Sequence, residues 1–199
     1  MIWASYEYED ELRAAGRKLI AGADEVGRGC LAGPLLVGMV VLPTECELQL
    51  ADSKLLSAKK REVLAEKIKV EAVAWSLGRV EHNEIDQLGL SAAIKLAYQR
   101  ALDDLSLMPS KLVIDGPHRI IDAEFVIPRV KADRDVACVA AGSIIAKVAR
   151  DEWMHAQSEA YPQYGFATNV GYGSKAHLVA LRQHGPSPIH RVSFKVKSH

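Results

Sequence analysis

The chain has few cysteines, no net charge and no long apolar run, and each shortage excludes a class of protein. Its longest clean apolar stretch, Leu35 to Leu42, falls far short of the about 20 residues that a helix needs to cross a bilayer. The opening residues, MIWASYEYEDEL, are acidic and lack a basic flank or a long apolar core, so no secretory signal is expected. Cys30, Cys46 and Cys138 are odd in number and lack metal-type spacing. Reduced thiols and a cytoplasmic location are the expectation. No repeat, low-complexity segment or linker interrupts the chain. The 25 basic and 25 acidic residues cancel, which on its own argues against a nucleic-acid partner.

What is present reads differently. With 199 residues and 49% hydrophobic content, residues 1–199 suffice for one domain with one sizeable core. The charge is unevenly spread. Residues 1–110 carry 13 Lys and Arg against 17 Asp and Glu, and residues 111–199 carry 12 against 8. From Tyr161 to His199 there is no acidic residue, but there are five Lys or Arg and four His. A basic C-terminal segment of this kind, about residues 161–199, could follow a phosphate backbone while the acidic half holds cations. The plainer reading is a chance asymmetry on a solvated face.

Near-continuous apolar runs predict strands at Lys18 to Asp24 and Leu35 to Leu42. Ala72 to Val80 alternates, with Val73, Trp75 and Leu77 on one face, and predicts a third. Lys111 to Asp115 and Glu124 to Val130 complete the set, Pro128 pointing to an edge position. Helices are expected at Ser57 to Lys69, with Ser57 as N-cap, and at Leu90 to Leu105, Val136 to Gln157 and Ser174 to His184. Strands first, then strands alternating with helices, give an α/β fold: a mixed five-stranded sheet with helices on both faces.

Asp24 and Glu25 end the first apolar run, directly before Gly27-Arg28-Gly29. Charged groups at the edge of a buried strand must be paired or hold a metal. Glycines just beyond let backbone approach a ligand closely. Asp115 ends another strand, and Asp133 follows the last one. Hard oxygen ligands of this type suit Mg²⁺ or Mn²⁺ rather than zinc. Four carboxylates can hold two cations about 4 Å apart, an arrangement that cleaves phosphodiesters. Each residue alone has a duller explanation: Asp115 as a turn residue before Gly-Pro, Asp133 or Asp135 as a cap of the following helix, Asp24 and Glu25 as partners of Arg28. Neighbouring strand residues also point to opposite faces, so Asp24 and Glu25 share a site only if the chain bends there.

Read together, ADEVGRG, DSK at Asp52-Ser53-Lys54, VIDGPH, KAD followed by VAAGSIIAKVARD, and GYGSKAH followed by GPSPIHRVSF resemble ribonuclease HII, the type 2 ribonuclease H. They follow that family's order over about residues 20–195. The resemblance implies the ribonuclease H-like fold and divalent-metal hydrolysis of RNA in RNA–DNA hybrids and at single ribonucleotides in duplex DNA. It implies two-metal-ion cleavage on the 5′ side of the ribonucleotide, leaving 3′-hydroxyl and 5′-phosphate ends, and a part in ribonucleotide excision repair. It places catalysis and metal binding on Asp24, Glu25, Asp115 and Asp133. The ribose-reading turn falls on Gly27-Arg28-Gly29, and the tyrosine beside the sugar on Tyr172. Backbone N–H and C=O groups of such a turn can meet both roles of a 2′-OH. Lys54, Lys147 and Lys175 are candidate phosphate contacts, and Ser143 lies among the small residues that open the Val136 helix toward the substrate. For each lysine the plainer reading is a surface charge.

The chain departs from the family pattern in three places. Gly89 stands where an asparagine-like residue is expected near the DNA groove, Cys138 and Gly142 vary an alanine-serine run, and no aromatic sliding-clamp motif follows SFKVKSH. A monomer is expected. His118 and His190 are assigned no catalytic role. The competing readings are another metallonuclease of the same fold, such as a junction resolvase or integrase, a nucleic-acid-binding module with an inert site, and a nucleotide-phosphate-binding GxG protein.

Overall fold

A computed structural model describes residues 3–194. Residues 195–199, on which the end of the basic segment and of SFKVKSH falls, lie outside the described residues. In chain order the elements are helix α1 (Glu7–Ala14), strands β1 (Ile20–Val26) and β2 (Leu35–Val41), helix α2 (Ala58–Glu71), strand β3 (Ala74–Val80), helices α3 (His82–Leu88) and α4 (Leu90–Asp104), strands β4 (Lys111–Asp115) and β5 (Val126–Arg129), and helices α5 (Ala132–Asp135), α6 (Ala137–Ala160), α7 (Phe166–Asn169) and α8 (Lys175–His184).

The sheet runs β3-β2-β1-β4-β5. β2 is antiparallel to β1 and β3, whereas β4 is parallel to β1 and β5. It is the expected mixed five-stranded sheet. β2 is buried along its whole length, which is why it is apolar at every position but Gly38. β5 is an edge, so Pro128 costs no ladder bond on its free side. One face of the sheet packs on α6 through Val40, Val113, Ile144 and Ile145. The other packs on α4 through Val37, Met39, Ala97 and Tyr98. A smaller cluster, including Met154, Phe166 and Ile189, joins the end of α6 to α7 and α8.

Two expectations are corrected. β1 starts and ends two residues later than expected, so Asp24 and Glu25 lie inside it, opposite Gly38 and Val37 of β2. In β3 the buried face is not the one bearing Val73, Trp75 and Leu77. The small residues Ala74, Ser76 and Gly78 turn inward instead, and the Ser76 hydroxyl donates to the Ala101 carbonyl at 2.6 Å. Close approach of α4 to the sheet requires small side chains, and this outweighs the apolar alternation. Gly89 joins α3 to α4 at φ +78°, a backbone position glycine alone adopts without strain.

α1 and the short helix α3 are not anticipated from the pattern. α1 has a definite task. Its buried Glu9 accepts from the backbone N–H of Cys138 at 2.8 Å, which supplies an acceptor to the first turn of α6. Ser57 caps α2 as expected, and Ser174 caps α8.

Candidate active site

Strand alternation holds through the two adjacent carboxylates, and the chain does not bend between them. Asp24 turns toward α6 and is buried beside Ser143. Glu25 turns toward α4, where the Tyr98 hydroxyl donates to its Oε2 at 2.9 Å. The two are tied through the backbone, the Glu25 N–H donating to Asp24 Oδ1 at 2.8 Å. They therefore flank the sheet from its two faces near the end of β1, and both line one cavity that opens there, so the bend expected to be needed for a shared site is not required. β4 lies beside β1 with Ala23 paired to Ile114, so Asp115 follows one step on, next to Asp24. Asp115 accepts from the Ala132 N–H at 2.7 Å, and this holds α5, and with it Asp133, against the strand ends.

Burial first, and mutual charge second, work against ionisation of the Asp24 and Asp115 carboxyls. Burial pushes the Asp24 carboxyl up to about 7, with the Glu25 charge adding and the Ser143 hydroxyl opposing. Burial and then the Asp133 charge raise Asp115 as well. Protein cations relieve this only in part. Lys54 Nζ reaches Asp133 at 3.2 Å, and Arg28 reaches Glu25 at 3.5 Å from a largely exposed side chain. Burial works against the Lys54 charge, but Asp133 and Asp52 outweigh it and the net shift is upward. Among the described residues no three Asp, Glu, His or Cys side chains close around one point. Each carboxylate is turned to its own partner: Glu25 to Tyr98, Asp115 to Ala132, Asp133 to Lys54. The donor set fits a hard divalent cation nonetheless. It is all oxygen, and among the described residues only Lys54 and Arg28 form ion pairs with its four carboxylates.

A cavity of about 500 Å³ opens on this charge, lined by Asp24, Glu25, the Gly27-Arg28-Gly29 turn, Lys54, Ser143, Lys147 and Tyr172. All the expected substrate contacts but Lys175 meet there. Lys175 is exposed in the first turn of α8 and does not line the cavity. Lys147 stands 2.8 Å from Asp151 and 5.8 Å from the Tyr172 ring centre. Burial and then Cys30 lift the Tyr172 hydroxyl to about 12, so it stays protonated. A second cavity of about 350 Å³, lined by Arg28, Lys95, Asp115 and His118, abuts the first at Glu25 and Arg28.

The glycine turn is held from beneath. Gly27 has φ +88°, and a side chain there would strike Arg150. Arg150 is fully buried and donates to the carbonyls of Pro34, Val170 and Ala32 at 2.9, 2.8 and 3.0 Å. Arg191 donates to Gly33 and, at 3.2 Å, to the carbonyl of Arg28. These two arginines, Tyr98 and the cavity-lining Arg61 are not singled out by the sequence, and Ser53 stands there only as a member of the DSK block. Tyr98 sits in an apolar helix pattern and reads as core. Arg150 reaches carbonyls more than a hundred residues away, which no local spacing signals.

A family model described as Ribonuclease HII matches residues 21–197. A ribonuclease HII of Listeria monocytogenes is 47% identical over 190 residues, covering 94% of this chain and 72% of its own. One from Nitrosococcus oceani is 48% identical over 177 residues, covering 88% of each. The crystal structure of the ribonuclease H2 from Pyrococcus horikoshii superposes with a TM-score of 0.76 at 29% identity, over 89% of this chain and 94% of that one.

Proposed function

The chain belongs to the ribonuclease HII family, and from that premise we propose how this metal-dependent endonuclease of RNA–DNA hybrids works and where it cuts. Asp24, Glu25, Asp115 and Asp133 hold two divalent cations, Mg²⁺ or Mn²⁺, at the end of the sheet. Bound there, the cations supply Lewis acidity at the scissile phosphate and an activated water. The observation that supports this reading is the cavity that joins Asp24, Glu25, the glycine turn and Tyr172 on one surface, with Asp115 next to Asp24 across the β1–β4 pair and Asp133 held through α5, these two outside the cavity lining.

The protein's own groups do the reading. The backbone of Gly27-Arg28-Gly29 offers N–H and C=O groups to a ribose 2′-OH, which both donates and accepts. Arg28 is exposed and swings from Glu25 to the scissile phosphate. Tyr172 is half exposed and lays its ring on the sugar 3′ of the reacting ribonucleotide, so the enzyme reads a junction. Lys54, Ser143 and Lys147 line the path of the phosphate backbone, and the segment from residue 161 contributes through Tyr172. No role in the first cavity is assigned to Lys175.

The cut falls on the 5′ side of the ribonucleotide, as the family resemblance implies; attack by water rather than by the 2′-OH, with the 3′-oxygen of the preceding nucleotide as the leaving group, gives 3′-hydroxyl and 5′-phosphate ends and no cyclic phosphate. Such a cut opens ribonucleotide excision repair of duplex DNA. The test is a DNA duplex bearing one ribonucleotide, incubated with Mg²⁺, with Mn²⁺ or with chelator. Cation-dependent cleavage at that one position is expected. A 2′,3′-cyclic phosphate end would overturn the mechanism.

A further inference from the structure

Tyr172 follows two residues in left-handed backbone, Val170 at φ +41° and Gly171 at φ +86°. That conformation is unfavourable for a β-branched residue and persists only where neighbours enforce it. Each carbonyl of the segment has its own anchor. Val170 accepts from Arg150 at 2.8 Å and Gly171 from the Leu31 N–H at 2.8 Å. Tyr172 accepts from the Ser174 N–H at 2.8 Å, and its carbonyl lies 2.9 Å from His177 Nδ1.

The histidine anchor continues inward. His177 Nε2 lies 2.9 Å from His190 Nε2, and His190 Nδ1 faces the Ser187 N–H at 2.8 Å and the Ser187 hydroxyl at 2.7 Å. A backbone N–H can only donate, so His190 Nδ1 carries the lone pair and the ring's proton sits on Nε2. That proton points at His177 Nε2, which must accept. The proton of His177 is then on Nδ1, aimed at the Tyr172 carbonyl. Both tautomers follow from the two backbone ends of the chain. The rings are buried between Tyr164 and Phe166, with His190 4.7 Å from the Tyr164 ring and His177 5.4 Å from the Phe166 ring. Burial lowers both histidines, so the pair is neutral near pH 7.

We propose that His177 and His190 are positioning residues for Tyr172: the directed chain from Ser187 through both imidazoles to the Tyr172 carbonyl sets the angle at which the tyrosine ring meets the nucleic acid. The proposal rests on the reading that Tyr172 packs on the sugar. A pair serving only to fill the core would not need both polar ends to finish on backbone, one of them the residue that carries the ring.

The experiment compares kcat/KM of Tyr172→Ala, His177→Ala, His177→Asn and the double variant Tyr172→Ala/His177→Ala on a duplex with one ribonucleotide, and of Tyr172→Ala on an all-RNA/DNA hybrid too. His177→Ala should lose about tenfold, less than the about 10²-fold of a full 1 Å misplacement. His177→Asn keeps an N–H near the position of Nδ1 and should regain most of that loss. The double variant should lose no more than Tyr172→Ala alone, whereas losses that multiply would overturn the positioning role. An equal loss for Tyr172→Ala on both substrates would instead overturn the reading of Tyr172. Nitrogen-15 histidine spectra of the unmutated protein give a second measurement that needs no variant to fold. They should show the Nε2–H tautomer at His190 and the Nδ1–H tautomer at His177, and the opposite form at either ring would overturn the chain.

Discussion

Two alanine substitutions two residues apart should separate the fold of the glycine turn from its use. At Gly27 a Cβ would fall on Arg150 Nε and 2.7 Å from the Pro34 carbonyl oxygen, in a backbone with φ +88°. Arg150 cannot yield, because it is fully buried and spends its N–H groups on three carbonyls. A left-handed non-glycine residue costs about 1–2 kcal/mol, and overpacking adds about 1–3 kcal/mol. Gly27→Ala should therefore lose roughly 2–5 kcal/mol, or about 4–20 °C of Tm at about 2–4 °C per kcal/mol for a chain this long. At Gly29 nothing lies within 4 Å of a Cβ, and the residue lines the cavity. Gly29→Ala should melt like the unmutated protein. Its methyl group would nonetheless occupy the space proposed for the 2′-OH, and a shift of about 1 Å there costs about 10²-fold in rate. Urea unfolding and single-turnover cleavage, run at a temperature where both variants are folded, measure the two effects. A Gly29→Ala protein that cleaves at the unmutated rate would remove the turn from ribose recognition. Unchanged stability in Gly27→Ala would refute the packing account.

Asp115→Asn should abolish cation-dependent cleavage while melting at or slightly above the unmutated temperature, since the amide keeps its size and relieves repulsion with Asp133; near-normal turnover by the folded variant would end the two-cation assignment. Tyr172→Ala should slow cleavage of a single embedded ribonucleotide by roughly one to three powers of ten, and Tyr172→Phe far less, because packing needs the ring. A melting-temperature loss that tracks an equal activity loss on every substrate would make Tyr172 a structural residue. His190 is held down to about 4 by burial and by His177, below the ordinary histidine value of 6.5. Its neutral form thus contributes stability that is present above pH 6.5 and lost as the pH falls toward 4. Asp24, raised to about 7, and Asp115 act in the opposite direction across the same window, so the readout is the difference between proteins: His190→Asn should lose less stability, or gain more, than the unmutated protein as the pH falls, and equal slopes would exclude His190 as a contributor.

The strands most legible in the sequence are those buried on both faces. β2 and β4 read directly from their apolar runs, because burial alone dictates their composition. β3 misled because its inward face is made of Ala74, Ser76 and Gly78, chosen for close helix approach rather than for apolar content. The carboxylates were legible as residues but not as an arrangement. That Asp24 and Glu25 face opposite sides of the sheet follows from strand alternation once β1 is seen to run to Val26. Arg150, Arg191 and His177 stand in recognised blocks, yet their partners are backbone atoms, which no side-chain pattern records. Lys175 shows the converse: it stands in a matching motif, but the cap of α8 leaves it on open surface.

Glu9 gives the molecule a seam that does not follow its family boundary. The family match begins at residue 21, but the acceptor for the first turn of α6 comes from residue 9. α6 carries Ser143, Lys147 and Arg150. A chimera spliced at the family boundary would inherit every motif residue but not Glu9, the acceptor for the first turn of α6. These two helices therefore form one packed unit, and the start of the family match at residue 21 is not its edge.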